Sequence, residues 1–381
     1  MQLRLLTLNV WDFPVPVGRI PDARMRAIGE RLPEFALDAA AFQEVWTASG
    51  RTELVAAGQR AGLEHSWYRD DLTSNSGLLI LSRWPMREIE FEPFTLCGLP
   101  QRLTHLDYYG GKGFVSAVLD TPEGELQLLN THLHAAYGSV GFGDEYLGHR
   151  MAEIIEIALA VALSKRPVAL LGDLNAYPYR GELNVLRHTT GLVDVARAVQ
   201  REQATILPNS PFRPKENPPG PRIDYVLARS GTQLGLAPVD AQRVFDEEFE
   251  HEGETVTYSD HAGVLGVLEL GGRGQPLPAP DPANITRARR TLDYGKRIAT
   301  ARRRKQRTIA AGAAALGLAT AAASRSRRGV LRTLALGVTG ALLAPSAGML
   351  ALGELFTPTE LRGYTSVERT LARLEALQDS R

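Results

Sequence analysis

A carboxylate and an amide follow a strongly apolar segment near the middle of the chain. Val168–Leu171 is apolar, a glycine follows it, and Asp173 and Asn175 then lie two residues apart. Alternate residues of an extended backbone point to the same side, so this spacing places both side chains on one face. Together they can position a water molecule and donate to a phosphoryl oxygen. The pattern alone also fits an ordinary turn, because Gly, Asp and Asn are common turn residues.

Two more oxygen-bearing residues follow other apolar segments. Asn9 ends the first of these, and Glu44 stands in the segment Phe42-Gln-Glu-Val-Trp46. Mg²⁺ prefers oxygen ligands and takes only one or two carboxylates while it keeps several waters. The sequence therefore predicts a magnesium site at Glu44 and Asn9, which Mn²⁺ could also occupy.

Histidines stand near two of the remaining strand ends. His132 and His134 alternate in Asn130-Thr-His-Leu-His-Ala135 and are predicted to share one face of a strand. We interpret His132 as a contact to phosphate and His134 as a second-rank candidate for the same site. A histidine on a strand is otherwise more often a structural residue.

An acid and an imidazole come late in the same region, in Arg222-Ile-Asp-Tyr225 and Ser259-Asp-His-Ala262. A carboxylate that accepts one ring N–H fixes the tautomer of a histidine and raises its basicity. We predict that Asp224 orients His261 in this way. Asp260 is predicted to support the metal or its ligands.

The elements that must position these residues occupy residues 1–270. Apolar alternation and β-branched content predict strands at Leu3–Val10, Ala39–Gln43, Leu78–Leu81, Phe114–Leu119, Leu126–Thr131, Val168–Leu171, Ile223–Leu227 and Val264–Leu268. Helical periodicity predicts helices at Asp22–Arg31, Thr52–Ala61, Asp144–Leu163 and Gly181–Arg187. This order favours an α/β catalytic domain with two sheets and outer helices, an α/β/β/α sandwich.

The composition changes after this region. Residues 271–290 begin with glycines and prolines and are predicted to form a linker, and residues 291–381 a basic helical tail. The tail contains two uncharged segments, 308–323 and 333–353, of which the second is long enough to cross a bilayer but contains Pro345. We predict a membrane hairpin or an in-plane anchor. A soluble helical hairpin packed on the body is the alternative.

The formal net charge of zero conceals an uneven distribution. Residues 271–381 hold 19 Lys/Arg and 7 Asp/Glu, a net charge of +12, and residues 1–270 carry −12. An acidic body does not favour a nucleic acid as partner, whereas a basic tail suits an anionic membrane surface. The single cysteine, Cys97, suits a reducing compartment, and the N-terminus resembles a strand rather than an export signal. We expect a membrane-associated monomer with a cytoplasmic catalytic domain.

The order of these motifs resembles the endonuclease–exonuclease–phosphatase superfamily, which cleaves phosphoesters with a divalent metal. The residues that carry the resemblance are Asn9, Glu44, Asn75 with the following Ser-Gly-Leu-Leu, His132, Asp173, Asn175, Asp224 and His261. Within it the chain is most similar to neutral sphingomyelinases, on Thr7-Leu-Asn-Val-Trp11, Glu44-Val-Trp46, Gly111-Lys-Gly113, Thr131-His-Leu-His-Ala135 and Gly148-His-Arg150. The membrane-bound type carries two apolar segments and then a short amphipathic helix, which the three–four spacing from Leu361 to Leu374 resembles.

The resemblance implies Mg²⁺-dependent hydrolysis of sphingomyelin or a related choline (lyso)phospholipid to phosphocholine and the lipid alcohol. Either Asp173 or His261 would be the general base, and Lys112 would lie near the phosphate or serve regulation. Residues 91–109 would dip into lipid or cover the core. The alternatives are a nuclease or an inositol-lipid phosphatase of the same superfamily, and a membrane-tethered binding protein without activity.

Overall fold

The computed structural model describes residues 1–15, 17–70, 76–102, 105, 107–137, 143–208, 220–279 and 281–379. The strands, in chain order, are β1 (Gln2–Asp12), β2 (Ala39–Val45), β3 (His65–Tyr68), β4 (Leu79–Ser82), β5 (Met86–Pro93), β6 (Gly113–Thr121), β7 (Gly124–His132), β8 (Val168–Asp173), β9 (Val193–Asp194), β10 (Asp224–Arg229), β11 (Leu234–Val244), β12 (Glu248–His251), β13 (Glu254–Thr257) and β14 (Gly263–Arg273). The helices are α1 (Pro21–Arg31), α2 (Ala48–Arg60), α3 (Asp107–Gly110), α4 (Leu147–Leu163), α5 (Gly181–Thr190), α6 (Val195–Ala198), α7 (Pro282–Ser324) and α8 (Val330–Asp379), with a 3₁₀ turn at Leu32–Phe35.

Two sheets of six strands each form the catalytic body. The first has the order β11-β14-β1-β2-β4-β3 and the second β5-β6-β7-β8-β10-β9, while β12 and β13 make a separate hairpin. Apolar side chains from both inner faces form one core between the sheets, among them Leu5, Ala41, Leu128, Leu171 and Val226. Helices α1 and α2 cover the outer face of the first sheet, and α4, α5, α7 and α8 cover the second. The predicted α/β/β/α sandwich is confirmed.

All eight predicted strands and all four predicted helices are present, with ends that differ by a few residues. The predicted helix Asp144–Leu163 begins later, at Leu147, because the Asp144 carboxylate accepts the N–H of Tyr146 in the preceding turn. The pattern missed the edge strands β3, β5, β9 and β11, together with the β12–β13 hairpin. Edge strands such as β5 alternate half-buried and exposed positions and are rich in charge, so their apolar signal is weak.

The predicted linker is shorter than expected. Strand β14 continues to Arg273 and α7 already begins at Pro282, so residues 282–290 are helical rather than connecting. Proline at the first turn of a helix loses no hydrogen bond, and the Asp281 side chain caps the helix by accepting the N–H of Ala283. Pro282, the last proline of this segment, therefore marks the start of a helix, whereas Pro276 and Pro278 lie in the connection before it.

The tail is a pair of long helices whose inner halves pack on the body. Ile285, Ala288 and Leu292 of α7 lie in the same apolar cluster as α4. The terminal amphipathic segment is the last part of α8, and its residues Tyr364 and Leu371 are buried in that cluster. The spacing predicted an amphipathic helix correctly. Its apolar face covers the catalytic domain.

The outer halves of α7 and α8 contain the two uncharged segments and are largely exposed. Helix α8 passes through Pro345 and Pro358 without ending, which the prediction of an interrupted segment did not anticipate. Salt bridges join α7 to α8 between the inner and outer halves of the hairpin, where Arg303 and Arg307 of α7 pair with Glu354 of α8. Part of the positive charge of the tail is therefore matched inside the hairpin. The arginines at its turn are exposed.

Candidate active site

Most of the predicted site residues lie at one edge of the two sheets. Strands β1 and β2 are parallel, as are β7 and β8, so their carboxyl ends lie at the same edge. The start of β10 joins them, since Asp224 pairs with Asp173 in the antiparallel register. Residues 259–261 precede β14, which pairs with β1. Segments distant in sequence therefore deliver polar side chains to a common pocket.

His261 and Asp224 form the predicted imidazole–carboxylate pair. The His261 Nδ1–H donates to Asp224 Oδ2 over 2.9 Å, and both side chains are buried. The other ring nitrogen, Nε2, lies 3.9 Å from Asp173 Oδ2 and 3.9 Å from Asp260 Oδ1. Burial lowers the pKa of His261, but the negative charges of Asp224, Asp260 and Asp173 outweigh it and raise the pKa to about 10. This orientation leaves Nε2 available for proton exchange with a group between the carboxylates.

Asp173 connects the two sheets. Its Oδ2 accepts a hydrogen bond from Asn9 Nδ2 at 3.1 Å, and its Oδ1 accepts the Asn175 N–H at 2.9 Å. Burial and the nearby Asp224 raise the pKa of Asp173 to about 6. Asn9 and Asp173 belong to different sheets, so this bond holds the metal candidate next to the catalytic candidate.

His132 and Asn175 face the same carboxylate cluster. The Asn175 amide nitrogen lies 3.3 Å from His132 Nε2 and donates to the Leu133 carbonyl at 2.9 Å. His132 Nε2 is 3.4 Å from Asp173 Oδ2 and 3.8 Å from Glu44 Oε1. Burial, reinforced by the Lys112 charge, lowers the pKa of His132, so its ring is neutral at pH 7. These two groups can hydrogen-bond an oxygen that gains charge.

Glu44 has the features of a cation ligand. Its Oε2 is buried and has no hydrogen-bond partner among the described residues. Burial and the neighbouring Asp260 charge raise the pKa of Glu44 to about 8. A carboxylate in this position is poorly stabilised without a cation. The unpartnered Glu44 carboxylate therefore suits a divalent cation, while Asn9, the second predicted holder, accepts the Trp11 N–H at its Oδ1 over 3.1 Å.

A second cluster of possible ligand atoms overlaps the proton-transfer pair. Single atoms of Asp173, Asp224 and His261 lie within 4.8 Å of one another. The Asp224–His261 hydrogen bond already uses two of these three groups, and Asp173 is bound to Asn9 and Asn175. Glu44, which keeps an unpartnered oxygen, is therefore the better anchor for the cation.

The backbone is strained at three strand ends that surround the pocket. Trp11, Glu44 and Asn175 have φ values of +48°, +59° and +45°. Asn tolerates this left-handed region well, whereas a left-handed Glu or Trp costs of order 1 kcal/mol or more. Such conformations persist where the surrounding structure enforces them and concentrate at functional sites.

Lys112 lies beside the site in a closed arrangement. It is buried, forms an ion pair with Asp107 of α3, and donates from Nζ to the Leu133 carbonyl at 2.7 Å. The Lys112 charge holds the pKa of Asp107 well below its usual range despite burial. In this structure Lys112 anchors α3 to the end of β7. Asn75, which the motif order also contained, lies outside the described residues.

His134 does not join the carboxylate cluster. Strand β7 ends at His132, so the alternation that placed both histidines on one face stops there. The His134 ring stacks on Tyr146 at 3.9 Å, and its Nδ1 bonds the Ala135 carbonyl. Burial lowers its pKa to about 4. Its neighbours make it a packing residue between β7 and α4.

Glu153 of α4 contacts the same segment and supplies a pH-dependent stability. Its Oε2 accepts the His134 N–H at 2.9 Å, and burial raises its pKa to about 8. Between pH 4.5, the ordinary pKa of a glutamate, and about pH 8, the folded protein therefore binds more protons than the unfolded chain. Its stability falls as the pH rises through this interval.

Replacing Glu153 by glutamine is expected to raise the melting temperature at pH 9 and to leave it unchanged at pH 5. A gain of about 1 kcal/mol corresponds to about 2–4 °C in a domain of this size. Differential scanning fluorimetry of the metal-free protein measures it, with the exposed Glu252→Gln as control. An equal shift of Glu153→Gln at both pH values would contradict this explanation.

The sequence motifs contain Trp11 and Trp46, but they predict no role for these rings, and they do not reveal the pair Gln43–Asn130 below Glu44. Trp11 follows Asn9 by two residues and Trp46 follows Glu44 by two, and this shared offset was a usable signal. Below the site, Gln43 Nε2 of the first sheet donates to Asn130 Oδ1 of the second over 2.8 Å. Residues 91–109, where described, mainly cover the core: Leu96 and Leu99 are buried, and among the large apolar side chains described there only Tyr109 is substantially exposed.

A model of the Endonuclease/Exonuclease/phosphatase family matches residues 6–261. The chain belongs to this family. The match includes every predicted catalytic and metal residue from Asn9 to His261 and ends before the helical tail. The expected superfamily is thereby confirmed for the body.

Two curated relatives align with this family member. Sphingomyelin phosphodiesterase 2 of Homo sapiens is 30% identical over 287 residues, which cover 70% of this chain and 64% of the human protein. Inositol phosphosphingolipids phospholipase C of Schizosaccharomyces pombe is 32% identical over 181 residues, covering 46% of this chain and 42% of that protein. The chain thus spans less than two thirds of the length of these relatives.

A solved structure shares the fold. A beta toxin mutant from Staphylococcus aureus with bound magnesium ions superposes with a TM-score of 0.53 and 18% sequence identity, over 70% of this chain and 99% of the toxin. At this identity the likeness concerns the fold alone.

Proposed function

We propose that the protein is a Mg²⁺-dependent phosphodiesterase that hydrolyses sphingomyelin or a related choline (lyso)phospholipid to phosphocholine and the lipid alcohol. The observation that carries the proposal is the convergence of the His261–Asp224 pair with neutral His132 and Asn175 around the buried carboxylates. Its alignment with sphingomyelin phosphodiesterase 2 supports the substrate class.

In the proposed reaction, water attacks the phosphorus in line and the lipid alcohol leaves. His261 moves a proton at Nε2 while Asp224 holds Nδ1, and Asp173 positions the water. His132 and Asn175 hydrogen-bond the non-bridging oxygens as negative charge increases on them. Either Asp173 or His261 accepts the water proton. Near pH 7 the pKa of about 6 leaves Asp173 ionised and able to accept it, while the pKa of about 10 keeps His261 protonated and able to donate its Nε2–H to the departing lipid oxygen. His261 accepts the water proton only at alkaline pH.

Glu44 and Asn9 would hold Mg²⁺, with Asp260 supporting them. A bound Mg²⁺ would act as a Lewis acid on the phosphoryl group. The unpartnered Oε2 of Glu44 supports this assignment. Mn²⁺ has the same preference for oxygen ligands and is a candidate substitute.

The second candidate is an inositol phosphosphingolipid as substrate, and the fission yeast relative favours it. A nuclease is less favoured because residues 1–270 carry a net charge of −12, which repels a phosphate backbone.

The first experiment is phosphocholine release from sphingomyelin in mixed micelles, with Mg²⁺ or with EDTA. Lysophosphatidylcholine, an inositol phosphosphingolipid and single-stranded DNA are tested beside it. DNA cleavage without lipid turnover would overturn the lipid assignment.

We also propose that the outer half of the helical hairpin binds the membrane. Among the described residues, helix α8 contains one span, Val330–Leu377, that is long and apolar enough to cross a bilayer, and only 6% of its apolar window is buried. Exposed arginines at the hairpin turn, including Arg327 and Arg328, suit anionic headgroups. A cytoplasmic location of the catalytic domain remains part of this proposal.

Replacing Leu334 and Leu336 by aspartate is expected to reduce membrane binding more than tenfold. Their side chains are 60% and 49% exposed, so the change costs the fold little. Each aspartate at the centre of a membrane helix costs roughly 2.5–3.5 kcal/mol. Flotation with vesicles of sphingomyelin and phosphatidylserine measures binding, and Val239→Asp on the body is the matched control. Equal flotation of the double variant and the control would refute the proposal.

A further inference from the structure

A cavity of about 230 Å³ opens beside Glu44 and is walled by aromatic rings. Trp11, Phe13, Trp46 and Tyr137 line it. The Phe13 ring centroid lies 5.7 Å from that of Trp11 and 6.0 Å from that of Trp46, with interplanar angles of 65° and 41°. Rings at these angles form a concave wall with several π faces.

The charged residues that line this cavity are already engaged. Asp107 and Lys112 form an ion pair with each other and so contribute little net charge. Glu44, the third charged residue, would hold the metal of the proposed function. The remaining wall is largely aromatic, and aromatic faces attract cations through their quadrupole. The described residues that line the cavity include no unpaired cationic side chain that could bind an anion.

We infer that this aromatic cavity, which we call the aromatic cage, binds the trimethylammonium group of the substrate and selects choline lipids over ethanolamine and inositol lipids. The inference rests on the proposed function for the identity of the substrate. It extends that function by naming the residues that choose the headgroup.

Hydrogen-bonding capacity explains the selection. A trimethylammonium group has no N–H donor, so aromatic walls leave none of its polar atoms unsatisfied. A primary ammonium has three donors that require acceptors, and inositol hydroxyl groups require both donors and acceptors. With Glu44 holding the metal and Asp107 paired with Lys112, the rest of the aromatic cage offers few of either. Because the cage adjoins Glu44, its occupant would lie next to the phosphoryl site.

The rings do not contribute equally. The Arg24 guanidinium already lies 5.6 Å from the Trp11 ring centroid, which weakens the attraction of that ring for a second cation. Trp46 packs closely on Gly77 and Gly110, so its removal would leave a void. Phe13 is half-buried and extends from the end of β1, so it can be changed with little effect on folding. It is therefore the residue to test.

Ligand binding to the full-length protein tests the aromatic cage without any reaction. Tryptophan fluorescence follows titration with choline and with 3,3-dimethyl-1-butanol, an uncharged molecule of the same shape. We expect choline to bind about tenfold more tightly. Phe13→Leu should abolish this preference, Phe13→Tyr should retain it, and Phe91→Leu, outside the cage, should not affect it. Equal binding of both probes by the unmodified protein would overturn the inference.

Turnover provides the second measurement. The kcat/KM for sphingomyelin is compared with those for ceramide phosphoethanolamine and ceramide phosphoinositol. We expect Phe13→Leu to lower the preference for choline about tenfold and Phe13→Tyr to preserve it. Hydrolysis of sphingomyelin without a preference for choline would overturn the aromatic cage and leave the proposed function intact. Preferential choline binding without hydrolysis of any of the lipids would overturn the proposed function and leave the cage intact.

Discussion

Replacing His261 by glutamine is expected to lower the kcat for lipid hydrolysis by roughly a thousandfold, within the 10²–10⁴ that a general acid–base group contributes. The reason is geometric: the Asp224 carboxylate binds Nδ1 at 2.9 Å and directs Nε2 towards Asp173 and Asp260. Glutamine retains a polar group but cannot exchange a proton near neutral pH.

The measurement is a single-turnover assay at saturating lipid with unchanged Mg²⁺. His251→Gln is the control, because it lies at the end of β12, in a separate two-stranded hairpin. We expect the KM of His261→Gln to change little, since the residue acts on the reacting atoms, and its melting temperature near pH 7 to fall, because the buried carboxylates that raise the pKa of His261 to about 10 lose their charged partner. A kcat within threefold of the unmodified protein would exclude His261 and assign proton transfer to Asp173.

Replacing Glu44 by glutamine is expected to abolish the response to Mg²⁺ and to lower activity about a thousandfold. A catalytic metal supplies several kcal/mol to the transition state, and about 1.4 kcal/mol corresponds to a factor of ten. The same change should stabilise the protein in EDTA. Burial and Asp260 raise the pKa of Glu44 to about 8, so the folded state is destabilised progressively as pH rises from its ordinary value of 4.5 to about 8.

Thermal unfolding at pH 8.5 measures both effects without turnover. Mg²⁺ at 100 times its Kd would stabilise the unmodified protein by about 2.7 kcal/mol. We expect no such shift in Glu44→Gln and a higher melting temperature in EDTA. The exposed Glu30→Gln on α1 should behave like the unmodified protein. If Mg²⁺ raised the melting temperature of Glu44→Gln as much as that of the unmodified protein, Glu44 would not be a metal ligand.

The tail illustrates a limit of reading polarity from a sequence. An apolar stripe such as that of Tyr364 and Leu371 indicates that a helix packs on an apolar surface. It does not indicate whether that surface is a membrane or another part of the protein. Here the surface belongs to the catalytic domain. Tyr364 fits against Gly148 of α4 and Gly295 of α7, where any added Cβ would meet its hydroxyl at 2.5 and 2.3 Å. The outer half of the hairpin lacks such a partner among the described residues.

Local pattern alone determined the layered architecture and most of the polar set. Buried strands consist of continuous apolar segments. Each predicted site residue lies at or near the end of such a segment, because polar residues occur where the chain leaves the core. Asp173, Glu44, Asn9 and His261 were identifiable on that ground. His134 stays a second-rank prediction, because the alternation that grouped it with His132 applies only while the strand continues, and β7 ends at His132.

Tertiary structure alone decided how these residues work together. The His261–Asp224 and Asn9–Asp173 bonds join residues 37 and 164 positions apart, and only the packing of two sheets brings them within 3.1 Å. The aromatic cage has the same origin, since Tyr137 belongs to the second sheet's loops and Trp11 and Trp46 to the first. Sequence periodicity indicates which side chains lie on the same face or at the same end of an element. The distance and direction between them depend on sheet pairing, which is a long-range property of the chain.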